Sequence, residues 1–234
     1  MSDFYQNGII TNLHNLRVQD TESLEKELLA FSKVRPMGLV LPSLYSELLS
    51  PALSKIVDEL TQVKYLNQIV IGLDRATKYE YKDAINYFAK LPQDHVILWN
   101  DGPRLKALDK KLQKMKIAPQ EMGKGRNVWY CFGYILASSK VESVALHDCD
   151  IVTYTRDMLA RLIYPVANPD FNYQFCKGYY SRVSKDKING RVCRLLVTPL
   201  IRSLMKMFPA NEYLEYLNSY RYALSGEFSL RTDV

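Results

Sequence analysis

Residues 143–150 read SVALHDCD, a short apolar run that ends at Asp148 and Asp150. A short apolar run bounded by polar residues is typical of a buried β-strand. In an extended segment, side chains two residues apart point to the same side, so the two carboxylates are expected to lie close together. Two such carboxylates repel each other unless a cation lies near them. The stretch therefore predicts a strand that ends at a cation site.

Three similar apolar runs precede this stretch, at Met37 to Leu41, Gln68 to Leu73 and His95 to Trp99. Between the runs, apolar residues such as Ile56 and Leu60 recur at the spacing of an amphipathic helix. Strands that alternate with helices predict an α/β fold of the Rossmann-like type, with a mostly parallel sheet and helices on both of its faces. In open sheets of this kind, ligands bind outside the carboxyl ends of the strands.

Polar residues follow each of the four predicted strands, where that ligand edge would lie. They are Ser43 and Glu47 after the first strand, Asp74 and Arg75 after the second, Asn100 and Asp101 after the third, and Asp148 and Asp150 after the fourth. A hard cation such as Mg²⁺ or Mn²⁺ is held by one or two carboxylates together with substrate phosphates. The convergence favours a cation site at the Asp pair. The alternative is that Asp148 caps the next helix while Asp150 is solvated.

A glycine turn, Gly123-Lys124-Gly125, lies just before a helix predicted over residues 127–138. Glycines at a helix start allow an anion to approach the backbone closely, and Lys124 adds a positive charge. The alternative is an ordinary turn with a solvated lysine. His147 stands alone beside the Asp pair, and a single histidine at a strand end is more typical of packing than of metal binding.

The stretch KGYYSRVSKDKINGRVCR, residues 177–194, is rich in lysine and arginine. Arginine suits phosphate or carboxylate binding because its donors form a planar fork. The alternative is a solvated loop. Another basic stretch, residues 104–116, predicts an amphipathic helix with a solvated basic face. Near the C-terminal end, Glu227 is a lone carboxylate among small residues and indicates no role by itself.

The formal charge is +6 and the pI is near 9.0, but the basic residues are dispersed and no base-reading motif accompanies them. We therefore expect no nucleic-acid partner. There is no apolar run of about 18 residues and no signal-peptide pattern, which predicts a cytoplasmic protein without a membrane partner. The four cysteines lie singly along the chain, a pattern typical of reduced thiols. In residues 1–35 we predict a leader with one helix, capped by Thr21.

In this order, the segments resemble those of the glucosyl-3-phosphoglycerate synthases, which are glycosyltransferases of the GT-A type. The resemblance runs from about residue 36 to residue 231 and rests on the following segments: GLVLPSLYSE, IVIGLD, GKGRNVW, ALHDCDI, FCKGYY, NGRVCRLLVTPLIRSL and LSGEFSLR. The last two segments are more specific than the Asp pair, because generic GT-A enzymes lack them.

The resemblance implies a GT-A fold, a nucleotide-diphospho-sugar transferase fold. Residues 36–150 would form its nucleotide-sugar-binding half, and residues 151–234 would form the acceptor-binding half of the same domain. Members of the family extend beyond the last segment, and a histidine in that extension completes their metal site. The resemblance therefore implies that this chain lacks a C-terminal part and one metal ligand.

Specific residues are implied as well. The nucleotide sugar would contact Pro42, Ser43, Glu47, Asp74, Lys124 and Asp148. The metal, Mg²⁺ or Mn²⁺, would be bound by Asp150 and Asp148, and Glu227, Lys124 and Asp150 would be the catalytic side chains. The acceptor would be held by Lys177, Gly190, Arg191, Val192 and Cys193. Cys193 stands where the family usually has threonine, whose hydroxyl is the better phosphate donor.

The implied activity is retaining transfer of glucose from UDP-glucose or GDP-glucose to 3-phosphoglycerate, which yields glucosyl-3-phosphoglycerate. Two alternatives stay open. One is a related GT-A transferase that uses GDP-mannose or glycerate, and the other is a non-catalytic module that binds a nucleotide sugar. A homodimer is compatible with the sequence.

Overall fold

The computed structural model describes residues 9–13, 20–180, 183–184, 187–188 and 190–234. Within these ranges the chain forms eight strands and eight α-helices. The strands are β1 Met37–Leu44, β2 Leu66–Asp74, β3 His95–Trp99, β4 Ser143–Leu146, β5 Phe175–Lys177, β6 Val183–Ser184, β7 Lys187–Ile188 and β8 Phe228–Arg231.

The helices lie between the strands, together with a 3-10 turn at Tyr45–Leu49 and a π-helical turn at Cys193–Val197. They are α1 Thr21–Phe31, α2 Pro51–Leu60, α3 Lys78–Phe88, α4 Pro103–Lys114, α5 Lys124–Ser138, α6 Arg156–Ala167, α7 Thr198–Met207 and α8 Glu212–Ser219. All four cysteines are free thiols, as the sequence predicts.

Six strands form one sheet in the order β3-β2-β1-β4-β8-β5. Strands β1 to β4 pair in parallel, and β8 pairs antiparallel with β4, with Leu146 opposite Phe228. The predicted α/β architecture with a mostly parallel sheet is therefore confirmed. Because the four parallel strands run the same way, their carboxyl ends meet at one edge.

The chain divides into two compact units. The larger unit consists of residues 19–176 and 227–234, and the smaller unit consists of the described parts of residues 1–18 and 177–226. The predicted assignment of residues 36–150 to the donor and residues 151–234 to the acceptor concerns function and stays a prediction.

The larger unit has a hydrophobic core on each face of its sheet. Leu39 and Ile69 belong to one core, which also contains residues of α1, α2, α3 and α6. Val40 and Val70, their neighbours in sequence, belong to the other core, which α5 covers with Ile135. Successive strand residues point to opposite faces, so one apolar run supplies both cores.

The cap of α1 differs from the sequence prediction. Asp20, rather than Thr21, is the N-cap residue, and its Oδ1 accepts a hydrogen bond of 2.7 Å from the backbone N–H of Ser23. Thr21 is the first helical residue, and its hydroxyl donates to Asp157 at 3.1 Å. Both residue types cap helices well, so only the backbone conformation decides between neighbours.

A close approach between β2 and α5 depends on Gly72. The side-chain amide of buried Asn127 donates to the Gly72 carbonyl at 2.8 Å. A Cβ atom at position 72 would overlap the Asn127 amide and lie 2.6 Å from the Sγ of Cys131. The helix therefore packs against this strand only because residue 72 has no side chain.

We expect Gly72→Ala to lower the free energy of unfolding by about 2–4 kcal/mol, because it overpacks the core and breaks a buried hydrogen bond. The control is Gly133→Ala, in the exposed middle of α5, where an added Cβ meets nothing within 4 Å. That change should stabilise the protein by about 0.5–1 kcal/mol. Urea denaturation of the three proteins measures both effects, and equal stability of Gly72→Ala and the wild type would contradict the packing described.

Candidate functional site

A cavity of about 650 Å³ lies in the larger unit at the carboxyl ends of β1, β2 and β3. Sequence-predicted residues border it at all three strand ends. These are Pro42, Ser43, Glu47, Asp74, Arg75, Asn100, Asp101 and, from the glycine turn, Gly123 and Lys124. Residues far apart in sequence lie close together here because the carboxyl ends of parallel strands share one edge of the sheet.

Glu47 closes the first turn after β1. Its Oε2 accepts a hydrogen bond of 2.8 Å from the backbone N–H of Leu44. Burial raises the pKa of the Glu47 carboxyl, and the negative charges of Asp150 and Asp148 raise it further. The Leu44 hydrogen bond acts in the opposite direction. The Asp pair therefore acts electrostatically on Glu47, which lines the cavity.

The Asp pair follows β4, which ends at Leu146, earlier than predicted. Cys149 and Asp150 lie in a turn, so the alternation expected of an extended segment does not extend to them. Cys149 is buried, whereas Asp148 is partly exposed and Asp150 is exposed. The ammonium group of Lys124 forms an ion pair with Asp148. The alternative in which Asp148 caps the next helix is wrong, because α6 begins after Thr155.

The chemistry of this group suits a hard cation. Within the described ranges, no three His, Cys, Asp or Glu side chains are grouped so that they could hold a metal ion by themselves. Asp148 and Asp150 supply two carboxylates, and Mg²⁺ is commonly held by one or two carboxylates plus substrate phosphates. Burial is the main cause of the raised pKa of Glu47, and the charges of Asp150 and Asp148 add to it. The residues present therefore fit a cation that a phosphorylated ligand helps to bind.

The glycine turn lies at the amino end of α5. The helix begins at Lys124, earlier than the predicted residue 127. Gly123 precedes it with φ of 148° and ψ of −172°, a backbone conformation that favours glycine. Gly123 and Lys124 both line the cavity. The free N–H groups and the positive end of a helix dipole are thus combined with a lysine, which favours an anion.

Sequence reasoning missed a second group on the cavity wall. Arg126 forms an ion pair of 2.7 Å with Asp109, and the hydroxyl of Tyr130 donates to the same carboxylate. Burial and that carboxylate raise the pKa of Tyr130 to about 12. Asp109 belongs to α4, which the sequence describes only as a helix with a solvated basic face. Because its partners lie on α5, no spacing along α4 could have revealed this contact.

His147 is buried and packs against an aromatic ring. Its ring is buried and meets the ring of Tyr154 edge to face at 5.2 Å. Burial lowers the pKa of His147 to about 4, so the ring is neutral at physiological pH. The packing interpretation of this histidine agrees with the structure.

Glu227 directly precedes β8 and is buried. The antiparallel register pairs Leu146 with Phe228, so the next step along both strands brings Glu227 opposite His147. Glu227 thus lies at the edge where β4 ends, close along the sheet to the Asp pair. The sequence separation of these residues gives no indication of this proximity.

The predicted acceptor residues lie in the smaller unit. Lys177 donates a hydrogen bond of 2.7 Å to the carbonyl of Ser225. Gly190 has a left-handed φ of 82°, Arg191 and Val192 are exposed, and Cys193 is buried. Cys193 borders a cavity of about 150 Å³ that Arg202 and Arg221 also line. The sequence did not predict a role for these two arginines, because neither belongs to a recognisable motif.

No protein-family model matches the chain. Curated proteins of similar sequence do match it. The chain is 48% identical over 229 residues to a glucosyl-3-phosphoglycerate synthase of Persephonella marina, in a match that covers 98% of this chain and 57% of that protein. The resemblance to the glucosyl-3-phosphoglycerate synthases is confirmed. A synthase of the same name from Methanococcoides burtonii is 38% identical over 235 residues, which cover 99% of this chain and 57% of that protein.

Solved structures of glucosyl-3-phosphoglycerate synthase from Mycobacterium tuberculosis share the fold. One, in complex with Mn²⁺, UDP-glucose and glycerol 3-phosphate, has a TM-score of 0.61 at 20% identity and covers 94% of this chain and 64% of that chain. Another, in complex with Mn²⁺, UDP and glucosyl-3-phosphoglycerate, has a TM-score of 0.59 at 20% identity. It covers 89% of this chain and 61% of that chain. The predicted GT-A fold is confirmed.

The chain spans 57% of the length of the curated synthases that it matches. Across the described part of the chain, no helix is long and apolar enough to cross a bilayer.

The raised pKa of Glu47 has a consequence for stability. A carboxyl whose folded pKa is raised is stabilising in its protonated form, and that stability is lost as the pH rises through the folded pKa. We therefore expect Glu47→Gln to be more stable than the wild type above that pKa, and the difference to vanish at lower pH. Thermal unfolding of both proteins as a function of pH measures this.

Glu80 provides a matched control, because its carboxylate accepts a hydrogen bond from the backbone N–H of Thr77 at the start of α3. Glu47 accepts the equivalent hydrogen bond from Leu44. Its hydrogen bonds with Thr77 lower the pKa of Glu80. Glu80→Gln should therefore be less stable than the wild type at neutral pH, and the difference should shrink as the pH falls through the lowered pKa. The same sign for both substitutions at neutral pH would contradict the electrostatics described.

Proposed function

We propose that this protein is a metal-dependent glycosyltransferase that moves glucose from UDP-glucose or GDP-glucose to 3-phosphoglycerate. The observation that carries the proposal is the 48% identity to a named glucosyl-3-phosphoglycerate synthase over 98% of this chain. The cavity at the strand ends supports it, since its volume of about 650 Å³ is typical of a small-molecule site. Both substrates are anions, which agrees with the basic character of the chain.

The donor occupies the cavity of the larger unit in this proposal. Pro42, Ser43 and Glu47 border the nucleotide, and Asp74 lies near the base and ribose. Asp74 accepts a hydrogen bond of 2.6 Å from Asn100, which fixes its carboxylate at the end of β2. Lys124, at the amino end of α5, faces the diphosphate.

Asp150 and Asp148 would hold Mg²⁺ or Mn²⁺ together with the donor diphosphate. The bound cation would supply positive charge to the diphosphate leaving group. Lys124 pairs with Asp148 and is positioned to add positive charge on the same side.

The acceptor 3-phosphoglycerate is bound by Lys177 and by the turn from Gly190 to Cys193. Arg191, which is exposed, supplies a forked donor for a phosphate or a carboxylate. Binding of this kind orients the acceptor hydroxyl for attack, and positioning contributes several kcal/mol to catalysis. Glu227 lies beside the sugar. We assign no covalent nucleophile among the described side chains and propose that retention arises by front-face attack within an ion pair.

The activity test combines the protein with Mg²⁺ or Mn²⁺, 3-phosphoglycerate and either UDP-glucose or GDP-glucose. We expect release of the nucleoside diphosphate only when the acceptor is present. GDP-mannose and glycerate are the comparison substrates. Nucleotide-sugar binding without release would identify a non-catalytic module, and the absence of both would exclude the proposed donor.

For the cation, we expect Asp150→Asn to weaken Mn²⁺ binding in the presence of UDP by at least about tenfold, because a neutral amide is a poorer ligand than a carboxylate. Asp58→Asn is the control, since Asp58 is an exposed acid that pairs with Lys90 at the protein surface. Titration followed by electron paramagnetic resonance of free Mn²⁺ measures both. Unchanged Mn²⁺ affinity in Asp150→Asn would remove this residue from the proposed site.

For the acceptor, we expect Arg191→Ala to raise KM for 3-phosphoglycerate by about tenfold or more while KM for the donor changes little. The reason is that the guanidinium would pair with the acceptor's anionic groups. Arg104→Ala, on the exposed part of α4, is the control. Steady-state kinetics with each substrate varied in turn makes the comparison, and an equal rise in both KM values would argue against an acceptor role.

A further inference from the structure

Arg75 has an unusual backbone for a residue with a side chain. It follows β2 directly and has φ of 55°, in the left-handed region that non-glycine residues enter at a cost. Its side chain is exposed and lines the cavity. A strained conformation persists only where surrounding contacts impose it, so the contacts of this turn indicate what the conformation achieves.

Two hydrogen bonds hold the turn, one at the backbone N–H of Ala76 and one at its carbonyl. The Asp101 carboxylate accepts a hydrogen bond of 3.0 Å from the Ala76 N–H, and the Trp99 indole donates one of 2.8 Å to the Ala76 carbonyl. The Trp99 ring is itself stacked on Tyr81 at 4.8 Å. Trp99, the last residue of β3, and Asp101, which follows the strand, thereby fix the backbone next to Arg75 at the cavity wall.

Arg75, like Lys106, is a cation of the cavity wall with no ion pair to another described residue. Four cations line the cavity, namely Arg75, Lys106, Lys124 and Arg126. Lys124 pairs with Asp148, and Arg126 pairs with Asp109. Arg75 forms no ion pair with another residue in the described part of the chain. The backbone beside Arg75 is thus held in place, and the Arg75 side chain lines the cavity without an ion-pair partner among the described residues.

The sheet order indicates which part of a nucleotide sugar Arg75 would meet. The strands follow one another as β3-β2-β1-β4, with neighbours about 4.8 Å apart. Asp148 and Asp150, proposed to bind the diphosphate through a cation, follow β4. Arg75 follows β2, two strands further along the edge. A nucleoside diphosphate is elongated, with its base and its diphosphate at opposite ends, so the base end lies over β2 and β3.

We propose that Arg75 contacts the nucleobase of the donor and selects bases that carry a carbonyl oxygen, uracil and guanine, over adenine. This inference rests on the proposed function. A guanidinium has five donors and no acceptor. Uracil O4 and guanine O6 are acceptors, whereas adenine presents an amino donor at that position. Arg75 is therefore a specificity-determining residue for the donor.

The test compares Arg75→Asn with the wild type. Asparagine tolerates the left-handed region, so the turn keeps its backbone while the guanidinium is lost. Lys116→Asn is the matched control, because Lys116 is also an exposed cation with a positive φ, of 58°, but lies outside the cavity lining. Circular dichroism and thermal unfolding establish that both variants are folded.

Calorimetry with Mn²⁺ then measures the affinities for UDP-glucose, GDP-glucose and ADP-glucose. We expect the wild type and Lys116→Asn to bind one or both of the first two more tightly than ADP-glucose. In Arg75→Asn, affinity for the preferred donor should fall by about tenfold or more, while affinity for ADP-glucose changes by less than about twofold.

The other outcomes separate the two proposals. An equal loss for all three nucleotides would mean that Arg75 contacts the diphosphate, which overturns its role in base selection. No loss in Arg75→Asn would overturn the contact itself. Failure of the wild type to bind any of the nucleotide sugars would instead count against the proposed function.

Discussion

The parallel pairing of β1 with both β2 and β4 is the constraint on which the rest of the structure depends. It forces the carboxyl ends of these strands to one edge and turns loops that are distant in sequence into neighbours. The approach of α5 to the sheet is a second condition, and it needs Gly72 because Asn127 occupies the space of a side chain. The cavity forms between that helix and the strand ends.

Charge is arranged unevenly around the cavity. Near β1 and β4, Glu47 has a raised pKa because burial and the Asp pair both disfavour its ionised form, and Lys124 forms an ion pair with Asp148. Such a group favours binding of a cation together with an anionic ligand. Near β2 and β3 the groups are held by hydrogen bonds, as in the contacts of Asp101 with the turn after β2. This difference underlies the proposed placement of the diphosphate near β4 and of the base near β2 and β3.

Much of this could be predicted from the sequence. Short apolar runs identified β1 to β4, since a strand buried on both faces leaves a continuous apolar pattern. The positions of Ser43, Asp74 and Asp148 after those runs then predicted the ligand edge. The predictions that differed concern local alternatives of similar free energy. Asp20 caps α1 in place of Thr21, and α5 begins at Lys124 rather than near Asn127. Neighbouring residues of similar capping ability are not distinguished by composition.

By itself, the sequence determined the α/β class, the strands that end at the site and the carboxylate pair that suits a cation. These properties depend on periodicity and on residue type, which are local. Only the tertiary structure decided the contact of Asp109 with Arg126, the place of Glu227 beside the end of β4, and the left-handed backbone of Arg75. The physical reason is that each depends on a partner from another strand or helix. Strand order, register and helix packing bring such partners together, and no pattern within one segment encodes them.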